Sequence, residues 1–424
     1  MNRITAPRGT NDILPPHSAE WIALEAAARE IAARFGYGEI RTPAFEATEL
    51  FVRGVGETTD IVEKEMYTFT DKGGRSMTLR PEWTAPVVRA CLEHNLFAAG
   101  PQRLYYIGSI FRYERPQAGR YRQAHQFGIE CFGFAGPEAD VEVVQLATAL
   151  IDRYHLGGVT VKLNSVGDDV CRPRYRDALI AHFTPHRAEL SEDSQRRLER
   201  NPMRILDSKS PADAPFVANA PTLLDVLCDE CRAHFEAVRR CLDALGIAYE
   251  VDPRLVRGLD YYTRTVFEIT STALGAQSTV CGGGRYDNLV SSLGGPATPA
   301  VGFGLGLERF LMMVAATRGE QAPPRVGIQA IALGPRARAK LVPIVGLLRA
   351  HGSVPVFADY NDRKLTAHFK IADRNGARYA VILGDDELAS GEIVVRDLTA
   401  RADRRVHLPE TPESAVSAVL SAVA

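Results

Sequence analysis

Five arginines, at positions 103, 112, 115, 120 and 122, stand against one acid, Glu114, between Arg103 and Arg122. In a chain with a formal net charge of −2 this is a local cationic patch. Arginines of this kind present planar, bidentate donors to carboxylate or phosphate. A charge run is ordinarily a solvated face, so the neighbouring residues decide what it is for. The segment HQFGIECFG follows at once. Period-two geometry puts Gln126, Gly128 and Glu130 on one face and Phe127, Ile129 and Cys131 on the other. One face packs, and the other offers an amide, a gap and a carboxylate to a ligand.

Four further segments suit the same concave site. LRPEWTAP supplies Arg80, Glu82 and Thr84 at alternating positions, although its two prolines argue against a central strand. LVRGLDYY carries Arg257, Asp260, Tyr261 and Tyr262 just before a strand, and CGGGRYD has three glycines where backbone can approach a ligand. VGFGLGLERF brings Arg309 into the first turns of a helix, where a cation works against the helix dipole unless an anion compensates it. Arginines gathered at strand and helix ends favour a phosphate-rich substrate.

These residues need a scaffold, and the sequence outlines one. SAEWIALEAAAREIAARFGYGEI has helical spacing before Gly36 and an extended stretch at residues 39–45. Residues 104–114 read as a strand, RPQAGRYRQ as a loop, and residues 125–134 as a returning strand, antiparallel because a parallel crossover needs more chain. A helical region runs from about Cys171 to Gly246, interrupted by the turn-rich NPMRILDSKSPADAPFVANAP. Within it Cys228 and Cys231 form a lone CxxC in a stretch that reads as helix. With no second pair nearby, structural packing is expected there rather than a metal or redox role. After ATRGEQAPPR the pattern alternates: strand VGIQAIAL, helix, strand VPVFAD, helix, strand YAVILG. No phosphate-binding glycine loop stands at a strand end in this part, so it reads as a binding module.

At 424 residues the chain exceeds a comfortable single core, and two or three domains are expected. Its 46% hydrophobic and 24% charged residues exclude a disordered or collagen-like chain. The charge balance is wrong for a protein that coats nucleic acid without regard to sequence. Apolar stretches such as residues 311–316 are too short for a membrane span, and the first residues resemble neither a secretory signal nor a transit peptide. The expected location is cytoplasmic. Seven cysteines in this length are no disulfide framework.

Over essentially its full length the chain resembles bacterial histidyl-tRNA synthetases, a family of class II aminoacyl-tRNA synthetases. FRYERPQAGRYRQAHQFGIECFG resembles motif 2 and PAVGFGLGLERF motif 3, while LVRGLDYYTRTVFEI and CGGGRYD resemble the two histidine-specific signatures. PRGTNDILP and FKIADRNGARYAVILGDDEL also match, and the region from Gly38 to Phe45 is a weak motif 1. The resemblance implies an α+β fold: an antiparallel catalytic sheet flanked by helices, a helical insertion and a C-terminal α/β anticodon-binding domain. The expected boundaries are 1–167 and 251–322 for the catalytic domain, 168–250 for the insertion and 323–424 for the anticodon-binding domain. It also implies a homodimer built partly through motif 1.

Carried onto this sequence, the resemblance gives Glu82, Thr84 and Gln126 to the α-amino group of L-histidine, and Glu130 and Tyr262 to its imidazole. Tyr286 shapes the same pocket with the CGGGRYD glycines. Arg112 clamps the carboxylate and α-phosphate, Arg257 stabilises charge at that phosphate, and Arg120 and Arg309 hold ATP. Arg115 and Gln117 lie on the loop expected near the acceptor stem of tRNA(His) with its extra 5′ guanosine. Trp83 stands where many bacterial members carry glycine, so it either narrows the pocket or packs behind it. The implied reaction is ATP-dependent formation of histidyl-adenylate and transfer of histidine to the terminal ribose of tRNA. Fixed arginines and Mg²⁺ stabilise the charge without a protein nucleophile, and no residue is assigned as a direct metal ligand.

The alternative is a catalytically silent, synthetase-like regulatory subunit of ATP phosphoribosyltransferase. Retention of Arg112, Arg257 and Arg309 and the anticodon-like module argue against it. The histidine signatures disfavour another class II synthetase or a free amino-acid adenylating enzyme. A purely nucleic-acid-binding module would leave the polar strand face and the separate arginine clusters without a shared task.

Overall fold

Helical spacing in the helix His17–Arg34 buries Leu24, Ala28, Ile31 and Ala32 on one stripe. The computed structural model describes residues 3–56, 59–206, 208–275, 278–318 and 325–423. In it this stripe joins a core with the helix Pro137–Arg153 and the apolar face of an eight-stranded sheet. The strands are β1 (Gly38–Glu39), β2 (Gln102–Phe111), β3 (Gln123–Phe132), β4 (Val159–Ser165), β5 (Tyr249–Val251), β6 (Thr263–Ser271), β7 (Thr279–Arg285) and β8 (Ala300–Gly306). Their order is β1-β2-β3-β8-β7-β6-β4-β5. Every neighbouring pair is antiparallel except β1 with β2 and β4 with β5.

The β2–β3 hairpin was legible from alternation, displaced by two to three residues: its strands end at Phe111 and begin at Gln123. LRPEWTAP is different from its alternating reading. The strand Ser76–Leu79 ends at its first residue, and the helix Thr84–Glu93 starts inside it. The glycines of CGGGRYD lie in the central strand β7.

The helical region between β4 and β5 contains the helices Cys171–Phe183, Glu192–Arg200, Ala214–Ala218 and Asp229–Ala244. Asp213 organises its turn-rich centre by accepting from the Ser191 backbone N–H at 2.8 Å and from the hydroxyls of Ser194 and Ser208 at 2.6 and 2.5 Å. A fully buried ion pair ties this region to the sheet. Arg285 of β7 binds Asp140 and the carbonyls of Phe134 and Gly136 at 3.0 Å, and His234 of the last of those helices lies 3.3 Å from Asp140.

The chain divides into two compact units, residues 1–319 and 320–424. The boundary expected between 322 and 323 falls outside the described residues. The second unit has its own core and a sheet of β9 (Ile328–Ala332), β10 (Val356–Ala358), β11 (Tyr379–Leu383), β12 (Glu392–Asp397) and β13 (Ala402–His407), ordered β10-β9-β11-β12-β13. β9 pairs in parallel with β10 and β11, while β12 and β13 add antiparallel strands that the sequence reading lacked.

Candidate active site

The site is set by the register of β3 against β8. Gln126, Gly128 and Glu130 stand opposite Gly306, Gly304 and Gly302. Phe127, Ile129 and Cys131 point the other way and are fully buried in the core. The glycines clear a trough in front of the polar residues. At Gly302 no side chain fits, because a Cβ there would collide with the Glu130 carboxylate and the Ile129 carbonyl.

Hydroxyl groups surround Glu130. Thr84 Oγ1 donates to Glu130 Oε1 at 2.8 Å, the Tyr106 hydroxyl donates to the same oxygen at 3.4 Å, and the Tyr286 hydroxyl donates to Oε2. Burial pushes the carboxyl pKa up to about 8, against the opposing pull of the Tyr286 and Thr84 hydroxyls. Glu82 is buried nearby. Its carboxylate accepts from the backbone N–H of Thr84 at 2.6 Å and of Ala85 at 2.9 Å, satisfying donors at the start of the helix Thr84–Glu93. Burial raises its pKa as well. Tyr262 is buried beside Tyr261, whose ring centroid lies 4.8 Å from that of Tyr262 and 5.4 Å from that of Tyr286.

The cations border this polar trough. Arg112 donates from Nε to the Pro81 carbonyl at 2.7 Å, one residue from Glu82, and its Nη1 lies 3.8 Å from Glu114. Glu114 also pairs with Arg120. Arg309 donates to the carbonyls of Thr279 at 2.7 Å and Gly119 at 3.1 Å, joining the start of the helix Leu307–Arg318 to β7 and to the β2–β3 loop. Burial, and then proximity to Arg120, lower the Arg309 pKa. Arg257 pairs with Glu268 of β6 and occupies the space that a Cβ on Gly282 would need. Its Nε is buried without a hydrogen-bond partner.

Several residues from the same sequence segments stand apart. Arg103 binds Glu142 at 2.8 Å, and Arg122 lies over the Tyr113 ring at 3.9 Å. Arg80 donates to the carbonyls of Ser109, Thr42 and Pro43 at 2.8 to 3.0 Å, so it clamps backbone. Its guanidinium also covers the Trp83 ring at 3.5 Å, while Trp83 stacks on Tyr106 at 4.7 Å. Trp83 is therefore a packed layer between Arg80 and Tyr106. Arg115 and Gln117 are exposed on the β2–β3 loop, where Gln117 and Arg120 form a backbone bridge.

Sequence reasoning missed Tyr106, Glu268 and the β8 glycines as parts of this site. Tyr106 could have been found from the hairpin register, which sets it opposite Gly128. It also misplaced the CxxC. Cys228 is the N-cap of the helix Asp229–Ala244 and not an interior residue, and a second pair, Asp168 and Cys171, lies beside it.

Among the described residues no helix is long and apolar enough to cross a membrane. The family model described as histidyl-tRNA synthetase matches residues 9–310, and that described as an anticodon binding domain matches residues 331–417. The chain is 52% identical over 411 residues to the histidine-tRNA ligase of Desulforudis audaxviator, covering 97% of this chain and 98% of that one. It is 51% identical to that of Desulforamulus reducens, covering 96% and 97%. The apo histidyl-tRNA synthetase of S. aureus shares the fold with a TM-score of 0.80 at 38% identity, over 97% of this chain and 99% of that one. The chain belongs to the bacterial class II histidyl-tRNA synthetases and catalyses ATP-dependent activation of histidine and its transfer to tRNA(His).

Proposed function

We propose a division of labour along the trough. Glu130, Tyr262 and Tyr286 receive the imidazole, and Glu82, Thr84 and Gln126 receive the α-ammonium group. Arg112 and Arg257 act at the reacting carboxylate and α-phosphate, and Arg120 and Arg309 hold the rest of ATP. The exposed Arg115 and Gln117 meet the tRNA acceptor stem. The observation that carries this reading is Glu130: a buried carboxylate with hydroxyl partners, at one end of a glycine-lined trough bordered by arginines. Such a group suits an imidazole N–H better than it suits a phosphate.

In the first step an oxygen of the histidine carboxylate attacks the α-phosphorus and diphosphate leaves. Negative charge concentrates as two anions meet, and preorganised guanidinium groups stabilise it without reorganising. In the second, the acyl group passes to a terminal ribose hydroxyl of tRNA and AMP leaves. Mg²⁺ bound to ATP supplies further neutralisation of phosphate charge. The carboxylate of Glu114, 3.8 Å from Arg112 and paired with Arg120, is an oxygen donor of the kind this hard cation takes. A homodimer is part of the same reading. The edge strand β1 and the half-exposed Phe45, in contact with Phe69 at 6.3 Å, offer it a surface, and light scattering measures the mass.

Histidine-dependent ATP–pyrophosphate exchange tests the placement. Glu130→Gln should raise the KM for histidine about 10- to 100-fold, the value of one hydrogen bond to a charged group, and leave the KM for ATP unchanged. An effect on ATP alone refutes the imidazole assignment.

A further inference from the structure

Three cysteines and one carboxylate converge outside the catalytic trough. Asp168, Cys171, Cys228 and Cys231 offer ligand atoms that all lie within 4.8 Å of one another. Cys171 and Cys231 are fully buried, and Cys228 and Asp168 are partly so. The four residues form two pairs of x2 spacing, D-x-x-C and C-x-x-C, each at the start of a helix: Cys171 opens Cys171–Phe183, and Cys228 caps Asp229–Ala244. We propose that these four side chains form a structural zinc site that fastens the root of the helical insertion to the histidine pocket.

The chemistry selects the metal. Three soft thiolates and one carboxylate make a closed four-ligand set, and a tetrahedral zinc with Zn–S bonds of about 2.3 Å places its sulfurs about 3.8 Å apart. Contraction from 4.8 Å needs only side-chain adjustment. The site is already dressed for thiolates. The Cys228 N–H points to Cys171 Sγ at 3.2 Å, and the Cys231 N–H points to Cys228 Sγ at 3.5 Å. Asp168 Oδ1 accepts from the backbone N–H groups of Val170 and Cys171 at 3.0 and 3.2 Å, which fixes the carboxylate's orientation. A disulfide would engage two sulfurs and leave the third and the carboxylate without a task. No open position remains for a substrate, so the role is structural.

Its consequence is local to the pocket. Arg172, next to Cys171, donates to the carbonyls of Tyr262 at 2.6 Å and Asp260 at 3.4 Å. Asn288, two residues from Tyr286, donates to Asp169 at 2.9 Å. A metal that fixes residues 168–172 thereby fixes two sides of the histidine site.

Elemental analysis of the full-length chain purified under reducing conditions tests the proposal. About one zinc per chain is expected, and cobalt exchanged into the same chain should give the intense visible and near-ultraviolet bands of tetrahedral thiolate ligation. Cys171 and Cys231 are poor positions for substitution because they are fully buried. Cys228→Ser should lower retained zinc at least several-fold, whereas Asp168→Cys should retain it. Loss of metal should raise the KM for histidine more than the KM for ATP. Zinc below about a tenth of an equivalent after expression in zinc-supplied medium, with no thiolate bands on adding cobalt to the reduced wild-type chain, overturns the proposal. So does a Cys228–Cys231 disulfide in freshly isolated protein.

Discussion

Replacing Arg257 by alanine removes a guanidinium that is held by Glu268, lies over Gly282 and keeps one donor unmatched. If the guanidinium serves the reacting phosphate, its loss should slow adenylate formation by about 10²- to 10³-fold, or roughly 3 to 4 kcal/mol. The same substitution strands the Glu268 carboxylate, which is only 17% exposed. Breaking a buried pair from one side costs roughly 3 to 5 kcal/mol of stability, so the two effects are of similar size. The double variant Arg257→Ala/Glu268→Gln separates them. A glutamine at 268 still accepts from the Thr279 hydroxyl, now 3.0 Å from Glu268 Oε2, and leaves no charge behind. The double variant should melt close to the Glu268→Gln control yet form adenylate about 10²- to 10³-fold more slowly in single turnover at saturating ATP and histidine. Arg257→Lys should recover part of the rate, because it keeps the charge but not the planar fork. A double variant within about fivefold of the control, the range of an ordinary exposed ion pair, refutes the catalytic role.

The Glu130 carboxyl, held up to about 8 by burial, retains its proton at pH 7 in the free site. Histidine's ammonium group and imidazole N–H favour the carboxylate, so binding should release a proton below pH 8 and affinity should rise with pH until about 8. Calorimetry in two buffers of different ionisation enthalpy measures this, and proton uptake, or the same profile in Glu130→Gln, contradicts it. The raised pKa also means that Glu130's contribution to stability is fully present below the ordinary glutamate pKa and is lost as pH climbs through about 8; Glu130→Gln should flatten that part of the melting-temperature profile. Gly302→Ala forces a methyl group against Glu130 and should cost about 1 to 3 kcal/mol in fold or pocket, read as a lower melting temperature or a higher histidine KM. A chain ending at residue 318 should keep histidine-dependent exchange while charging tRNA poorly, provided its oligomeric state matches the full chain's; full charging by such a chain would remove the second unit from tRNA recognition.

The parts legible in the sequence were those that alternation governs. Phe127, Ile129 and Cys131 against Gln126, Gly128 and Glu130 gave both the hairpin and the face that carries the site. β13 was not legible because nearly all of Ala402–His407 is exposed, leaving no apolar period to see. β7 was not recognised as a strand, because glycines weaken the strand signal in isolation. Here the missing side chains are replaced by Phe303 behind Gly283 and by the Arg257 guanidinium over Gly282, so the gaps are filled from other elements. The pairing of Asp168 and Cys171 with the CxxC spans 57 residues between Cys171 and Cys228, and local spacing carries no trace of it. Arg80 and Arg285 show the converse limit. By type they belong with the substrate-binding arginines, and only their carbonyl and Asp140 partners reveal structural posts.

Register explains why a site assembled from such distant segments can discriminate. From Glu130 to Gln126 is four residues of strand, about 14 Å at the usual rise, enough to separate the imidazole end proposed at Glu130 from the α-ammonium end proposed at Gln126 on one rigid element. The scale is kept by the buried side of the same strand. A slip of one residue would turn Glu130 and Gln126 into the apolar core and bring Phe127 and Ile129 to the trough, a cost borne by every strand in contact. The glycines of β8 must face the same three positions, and a slip would put Phe303 or Leu305 there. Loops can then remain adaptable: the β2–β3 loop carries Arg112 and Arg120, proposed to meet ATP, and the exposed Arg115 and Gln117, proposed to meet the tRNA. On the proposed assignment, selection of histidine rests on the sheet, and engagement of the nucleotide and tRNA rests on the elements at its edge.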